Sequence, residues 1–149
     1  ITGTMGGTTP HVIVFELTSG IANSLYSFYA FDPLYAGAVN VAAADLDGDS
    51  KAEIITGSGP GAASTIVVFK IKPDGRADVL RSFFPFGGTY LGGVSVGSGD
   101  WENTGRTDVL AGAQSGPMPT VQVYNGVTWG LIDELFAFNG ALEGGVAIG

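Results

Sequence analysis

Along most of the chain, apolar residues alternate with small or polar residues in short segments. Val39, Val41 and Ala43 fall on one side of such a run, and Val94 and Val96 do so further on. An alternation with a period of two turns one face of a β-strand toward a core. No stretch keeps a helical period, and Gly and Pro interrupt the chain throughout. The pattern therefore predicts an all-β fold of short strands.

The middle third of the chain divides into four predicted strands. The breaks between them carry turn-forming sequences such as Gly59-Pro60-Gly61 and Pro73-Asp74-Gly75. The predicted strands are Val39–Ala44, Glu53–Thr56, Thr65–Ile71 and Val79–Phe86.

The sequence repeats at a spacing of 54 and then 55 residues: Ile1-Thr2-Gly3 recurs as Ile55-Thr56-Gly57 and Leu110-Ala111-Gly112. Three further blocks recur, those around Val12, Ser27 and Gly37. Four strands in about 40–50 residues are typical of a β-propeller blade. The repeats predict one domain, residues 1–149, made of three units: residues 1–38 with 144–149, residues 39–92, and residues 93–143.

The two ends of the repeat predict half of a propeller. The first unit lacks its opening strand, and the chain finishes on an extra opening strand, Gly145–Ile148. Three blades would leave sheet edges exposed, and propellers usually have four to eight blades. We expect a homodimer that closes six blades head to tail. The alternative is a fragment or cleaved chain with a second half-propeller as its partner, which agrees with a start in mid-pattern without an initiator Met.

Composition narrows the classes of function. The 149 residues carry a net charge of −8, which disfavours nucleic acid and anionic membrane surfaces as partners. No cysteine is present, so a disulfide framework and a thiolate metal site are excluded. No apolar run approaches the ~20 residues that span a bilayer, so we expect no membrane insertion.

One acidic stretch carries the candidate chemistry. Asp45, Asp47, Asp49 and Glu53 stand at alternate positions around Gly48, between two predicted strands. Alternation through a tight turn points carboxylate oxygens at one centre, and calcium takes six to eight oxygen ligands. The sequence offers no basic partner nearer than Lys51, so the acids would repel one another without a cation. The alternative is an Asp/Gly-rich turn that binds nothing.

A second copy of this stretch lies 55 residues further on. Acids remain at its first, third and ninth places, and Thr104 replaces the acid at the fifth. We expect either a weaker site or a turn held by hydrogen bonds. The counterpart residues are Asp100, Glu102, Thr104, Arg106 and Asp108.

These features resemble the FG-GAP repeat family, best known from the β-propeller of integrin α subunits and from bacterial surface proteins. The resemblance covers nearly the whole chain and rests on three features: the acidic loop, the Phe86-Gly87 pair, and the turn at 57–62. It implies calcium as the cofactor, ligand roles for the four acids, and a carbonyl ligand from Lys51. Two departures are Ser50, where the family prefers Gly, and Glu53, where it prefers Asp.

Few other residues suggest chemistry. His11 is the sole histidine, and catalysis or zinc binding would need partners that the sequence does not supply. Trp101 and Trp129 could stack on sugar rings, but blade packing explains them as well. Gly-rich segments such as 57–61 lack the Lys-Ser/Thr pair of a phosphate loop.

We therefore expect a calcium-binding, non-enzymatic module that is secreted or on the cell surface and serves binding, cell adhesion or assembly. Its ligand would be a protein or a glycan. A lectin-like, carbohydrate-binding propeller is the alternative. A polysaccharide lyase or hydrolase of propeller type is less favoured, because His, Arg and Lys are scarce.

Overall fold

The computed structural model describes residues 1–116, 119–138 and 144–149, and these contain strands and no helix. The strands are β1 (Thr2–Gly3), β2 (His11–Thr18), β3 (Ile21–Tyr29), β4 (Val39–Ala44), β5 (Glu53–Ser58), β6 (Ile66–Ile71), β7 (Ala77–Phe83), β8 (Val94–Gly99), β9 (Asp108–Ala113), β10 (Thr120–Tyr124) and β11 (Leu131–Phe136). The prediction of an all-β fold is confirmed. The last part of the predicted third unit, residues 139–143, lies outside the described residues.

Three antiparallel sheets follow one another along the chain. Sheet 1 has the strand order β1-β2-β3, sheet 2 has β4-β5-β6-β7, and sheet 3 has β8-β9-β10-β11. Within each sheet, every strand pairs antiparallel with the next strand along the chain. The chain therefore completes one sheet before it starts the next.

The predicted strands of sheet 2 are all present, and their bounds differ by a few residues. β4 has the predicted bounds, and β6 starts one residue later than predicted. β5 continues past the predicted end at Thr56, because Gly57 and Ser58 still pair with β4.

β7 runs from Ala77 to Phe83 instead of the predicted Val79–Phe86. The chain turns after β7, where the Gly87 N–H donates to the Phe84 carbonyl at 3.2 Å. The intervening Pro85 has no N–H to offer a strand partner.

Neighbouring sheets approach each other most closely at a glycine. A Cβ on Gly57 in β5 would lie 2.5 Å from the carbonyl oxygen of Val94 in β8. A Cβ on Gly3 in β1 would lie 2.2 Å from the carbonyl oxygen of Val39 in β4. Asn40 Nδ2 adds a hydrogen bond to the Val94 carbonyl at 2.8 Å. Sheet 1 thus packs on sheet 2, and sheet 2 on sheet 3, by the same contact.

Residues 144–149 lie against sheet 3 in the place that β4 occupies against sheet 1. Gly112 faces the Val146 carbonyl, and Ser95 Oγ donates to that carbonyl at 2.7 Å, as Asn40 does between sheets 2 and 3. The Val146 N–H donates to Ala113 at 2.7 Å. The prediction of a strand at Gly145–Ile148 is wrong, since these residues belong to none of the sheets in the described part of the chain.

Two apolar cores fill the spaces between the sheets. The core between sheets 1 and 2 contains Val12, Ala30, Val39, Ile54, Val67 and Phe69. The core between sheets 2 and 3 contains Leu46, Ile55, Ile66, Val68, Val94, Val96, Val109, Ala111 and Tyr124. β5 contributes to both and is buried along its whole length, whereas β3, β7 and β11 are mostly exposed. Sheet 2 is therefore the centre of the described structure.

Sheet 1 has an uncovered face. Phe15 in β2 is the counterpart of Phe69 in β6, 54 residues on, yet Phe15 is 38% exposed and Phe69 is 4% exposed. Phe69 packs in the core against sheet 1, while Phe15 points away from sheet 2 and meets no sheet among the described residues. Sheet 1 thus exposes an apolar surface at a position whose counterpart in sheet 2 is buried.

The inter-sheet glycine contact gives a stability prediction. We expect Gly57→Ala to lower the free energy of unfolding by about 1–3 kcal/mol, because the added methyl group must push sheets 2 and 3 apart. Urea denaturation would measure the loss. Gly99→Ala in β8 is the matched control, since a Cβ there meets nothing within 4 Å. Equal effects of the two substitutions would contradict the close approach.

Candidate metal centre

The loop between β4 and β5 is built around the carboxylate of Asp45. Its Oδ1 accepts the N–H of Gly48 at 2.7 Å, and its Oδ2 accepts the N–H of Ser50 at 2.8 Å. Gly48 and Ser50 both have positive φ, at 81° and 66°. Ser50 therefore stands in the left-handed region, where Gly is easiest to accommodate. The departure from Gly noted in the sequence falls at a strained position.

Three of the predicted acids come together in this loop. Asp45, Asp47 and Asp49 each offer an oxygen, and these oxygens lie within 4.8 Å of one another. Asp49 also accepts the N–H of Lys51 at 2.9 Å through its Oδ1. The backbone of the loop thus orients the carboxylates, and it leaves Asp47 Oδ2 and Asp49 Oδ2 facing a shared space.

The fourth predicted acid, Glu53, is fully buried at the start of β5. Its Oε2 accepts the N–H of Leu46 at 2.9 Å and so ties the loop to the strand. Its Oε1 makes no hydrogen bond with any described residue. A buried carboxylate oxygen without a hydrogen bond is costly unless a cation lies beside it.

Lys70 in β6 supplies a positive charge that the sequence analysis missed. Its Nζ contacts Asp47 Oδ2 and lies 2.8 Å from Asp49 Oδ2 and 3.6 Å from Glu53 Oε1. The prediction that Lys51 is the nearest basic partner of the acids is therefore wrong, because Lys70 forms ion pairs with three of them. Hydrogen bonds with Asp47 and Asp49 raise the pKa of Lys70, and the hydrogen bond from Lys70 lowers the pKa of Asp49.

Strand register explains why Lys70 reaches the loop. Ile54 in β5 pairs with Phe69 in β6, so the next pair along places Glu53 opposite Lys70. Cross-strand neighbours have Cβ atoms about 4.5–5.5 Å apart. The contact of Lys70 with the acids follows from the sequence only when the register of the β5–β6 hairpin is known.

The residues of this loop fit a hard divalent cation. Calcium prefers clustered carboxylate and carbonyl oxygens, and the loop brings together three carboxylates near Glu53 Oε1, which accepts no hydrogen bond from a described residue. Asp45, Asp47, Asp49 and Glu53 would supply side-chain oxygens. The carbonyl of Lys51 is the backbone ligand that the family resemblance implies.

The loop between β8 and β9 repeats the backbone contacts of the first loop. Asp100 accepts the N–H groups of Thr104 at 2.8 Å and Gly105 at 2.7 Å. Asp108 is buried and accepts the Trp101 N–H at 3.1 Å, as Glu53 accepts that of Leu46. These two acids therefore hold the turn.

The other predicted ligands of the second loop are not gathered. Glu102, Thr104 and Arg106 are exposed, and no cluster of three potential ligands forms in this loop among the described residues. The loop has the hydrogen bonds expected of a turn, which was one of the two alternatives for it.

His11 and the two tryptophans have structural contacts. His11 Nε2 lies 2.6 Å from Ser27 Oγ, and its ring packs on Tyr29. This pair has no carboxylate partner in the part of the chain that the structure describes. Trp101 Nε1 donates to Asp133 at 3.2 Å, and Trp129 packs near Phe83 in the core between sheets 2 and 3.

A cavity of about 620 Å³ opens beside the first loop. Asp45 and Asp47 line one side, and Arg106 and Trp129 line others. The cavity therefore lies where the first loop meets the second loop and the turn after β10.

The chain was compared with protein-family models, curated proteins and solved structures, and none of them matches it. The resemblance to FG-GAP repeats accordingly stays a prediction. Within the described residues there is no helix with the length and apolarity needed to cross a bilayer.

Burial of Glu53 gives a prediction about stability in metal-free buffer. We expect Glu53→Ala to lower the free energy of unfolding by about 1–3 kcal/mol, because the Leu46 N–H loses its acceptor. Chemical denaturation in the presence of a chelator would measure it. Asp78→Ala is the control, since Asp78 makes an exposed ion pair with Lys72 at 3.7 Å. If the two variants were equally stable, Glu53 would not anchor the loop.

Proposed function

We propose that the chain is a non-enzymatic, calcium-binding half-propeller that pairs with a second copy and serves binding or assembly at the cell surface or outside the cell. The cluster of Asp45, Asp47 and Asp49 beside the buried Glu53 carries the cation part of this proposal. The repeated packing of the three sheets carries the assembly part.

A role for calcium follows from the chemistry of the loop. Several carboxylates at close range repel one another, and a divalent cation offsets more of that repulsion than one ammonium group can. The oxygens are hard ligands, which disfavours metals that prefer thiolate or imidazole. Calcium would then stabilise the link between β4 and β5 and, through it, the central sheet.

The propeller proposal rests on how the sheets stack. Each four-stranded sheet has the size of a propeller blade, and each packs on the next through its innermost strands. Sheet 1 has only the counterparts of the second, third and fourth strands. Residues 144–149 lie in the position of a first strand and belong to none of the sheets that the described residues form. If the last segment of one copy pairs with β1 of the other copy, sheet 1 gains its missing first strand and the segment joins a sheet.

A second copy also covers the exposed face of sheet 1. In a head-to-tail ring, sheet 3 of one copy packs on Phe15 and Ile13 of the other, as sheet 1 packs on Phe69 and Val67 within the chain. Every pair of neighbouring sheets in the ring then makes the same kind of contact, which a closed ring requires. Two copies give six blades.

The extracellular location that we propose agrees with the kind of cation site in the first loop. Exposed carboxylate sites of modest affinity suit extracellular calcium, for which module dissociation constants of about 10⁻⁴–10⁻³ M are usual. Binding of a protein, as in cell adhesion, is the role that the FG-GAP resemblance implies. Among the described residues no third group orients His11 and Ser27, which favours a non-enzymatic role.

Glycan binding is the second candidate, and the cavity beside the first loop favours it. Trp129 and the carboxylates of Asp45 and Asp47 line that cavity. However, Trp129 is partly buried against the core, and Trp101, which is 46% exposed, does not line this cavity. The calcium-binding assembly module therefore remains our proposal.

Calcium should raise the melting temperature. At a concentration 100 times the dissociation constant, calcium adds about 2.7 kcal/mol to the stability of the folded state. For a domain of this size, we expect the midpoint to rise by roughly 5–10 °C. Differential scanning calorimetry with calcium and with a chelator would measure the shift.

The loop carboxylates should carry this effect. The double variant Asp47→Asn/Asp49→Asn should lose most of the shift, whereas Asp74→Asn, in an exposed turn, should keep it. A midpoint that does not respond to calcium in the unsubstituted chain would contradict the cation site.

The assembly part predicts the mass in solution. Light scattering on a sizing column should give about twice the 15.2 kDa of one chain. Phe15→Glu should give the monomer, because a charge would be buried at the junction. Val79→Glu, on the exposed strand β7, should leave the mass unchanged. A monomeric unsubstituted chain would rule out the paired ring.

A further inference from the structure

We propose that Lys70 is a built-in counter-ion that occupies the cation position of the first loop in the metal-free protein and leaves when a divalent cation binds. The inference rests on the proposed cation site and adds the residue that sets its affinity. The binding step is then an exchange, in which one cation replaces another at the same oxygens.

The contacts of Lys70 place its ammonium among the ligands themselves. Nζ is 2.8 Å from Asp49 Oδ2 and also contacts Asp47 Oδ2. Calcium binds carboxylate oxygens at about 2.3–2.6 Å. An ammonium and a calcium ion on these same two oxygens would repel each other strongly, because two positive charges would lie within a few ångströms. Coordination of calcium by Asp47 and Asp49 therefore requires Nζ to move away.

Glu53 gives an independent indication that the position is made for a cation. Its Oε1 is fully buried, is 3.6 Å from Lys70 Nζ, and makes no hydrogen bond with a described residue. The ammonium is near enough for attraction but too far for a hydrogen bond. One ammonium thus compensates Asp47 and Asp49 and leaves the buried oxygen incompletely satisfied. A divalent cation has the charge and coordination number to serve all three.

The second loop supports the link between Lys70 and the acids. Asp49 becomes Thr104 there, and Lys70 becomes Asn125. Asn125 Oδ1 accepts the N–H groups of Val127 at 3.1 Å and Thr128 at 2.9 Å, so its side chain serves its own turn. The first loop thus has both the acid and the lysine, whereas the second loop has a neutral side chain at each of these two positions. The two charges are therefore matched within the chain.

Lys70 can leave without unfolding the strand. Its side chain is 20% exposed, and β6 holds it by backbone pairing with Asp78 in β7. A long, flexible side chain can turn its ammonium toward water while its methylene groups stay packed. We expect the exchange to be local.

Calcium titration calorimetry on the Lys70→Met variant tests the proposal. Removal of the competing ammonium should strengthen calcium binding by about tenfold or more. Lys72→Met is the matched control, because Lys72 lies two residues on and pairs with Asp78 outside the loop. It should bind calcium as the unsubstituted chain does. Lys70→Gln repeats the test if the methionine variant does not fold.

Acylation of lysines, read by mass spectrometry, provides a second measurement on the unsubstituted chain. Calcium should increase the reactivity of Lys70 severalfold and leave that of Lys72 unchanged. Unchanged reactivity of Lys70 in saturating calcium would overturn the exchange.

The outcomes separate this inference from the function on which it rests. Equal or weaker calcium binding by Lys70→Met, with binding by the unsubstituted chain, overturns the exchange and retains the cation site. Binding by Lys70→Met alone supports competition by Lys70 and contradicts calcium binding by the unsubstituted chain. No binding by any variant overturns both.

Discussion

The close approach of neighbouring sheets at a glycine is the contact on which the rest of the structure depends. At Gly3 and Gly57 the backbone of the next sheet lies where a side chain would otherwise begin. This close packing lets β5 contribute to both apolar cores. The loops that follow β4 and β8 lie close enough to line one cavity, and the first of them is the acidic loop.

The first acidic loop and its repeat differ in the charged groups that they bring together. Both loops use their first acid to hold backbone N–H groups and their ninth acid to anchor the second residue. These are turn-forming roles, and they need no metal. The difference lies in Asp47 and Asp49, which face Lys70 and Glu53 and create a place for positive charge. One scaffold thus supports a plain turn and a candidate metal centre.

The open face of sheet 1 and the last segment of the chain connect the fold to the proposed function. Phe15 is exposed where Phe69 is buried, and Val146 lies against sheet 3 but belongs to none of the sheets formed by the described residues. Apolar surface and unpaired backbone at sheet edges favour association with a further sheet. Calcium in the loop would stabilise the central sheet, and assembly would cover the outer ones.

The sequence by itself determined the four strands of sheet 2 and their order, but the strand that it predicted at Gly145–Ile148 is not formed. Alternating apolar residues and turn-forming Gly, Pro and Asp act over a few residues, so the bounds of β4 were predictable and those of β5 and β7 missed by only a few positions. The 54- and 55-residue repeat also located both acidic loops, because local spacing alone brings Asp45, Asp47 and Asp49 together.

Only the tertiary structure decided which charges meet and which surfaces are covered. Lys70 lies 17 residues from Glu53 in sequence, and the register of the β5–β6 hairpin brings it into the loop. The burial of Glu53 and the exposure of Phe15 depend on what packs against each sheet, which no local pattern encodes. A repeat predicts equivalent positions, but the neighbours of each copy determine whether those positions have equivalent roles.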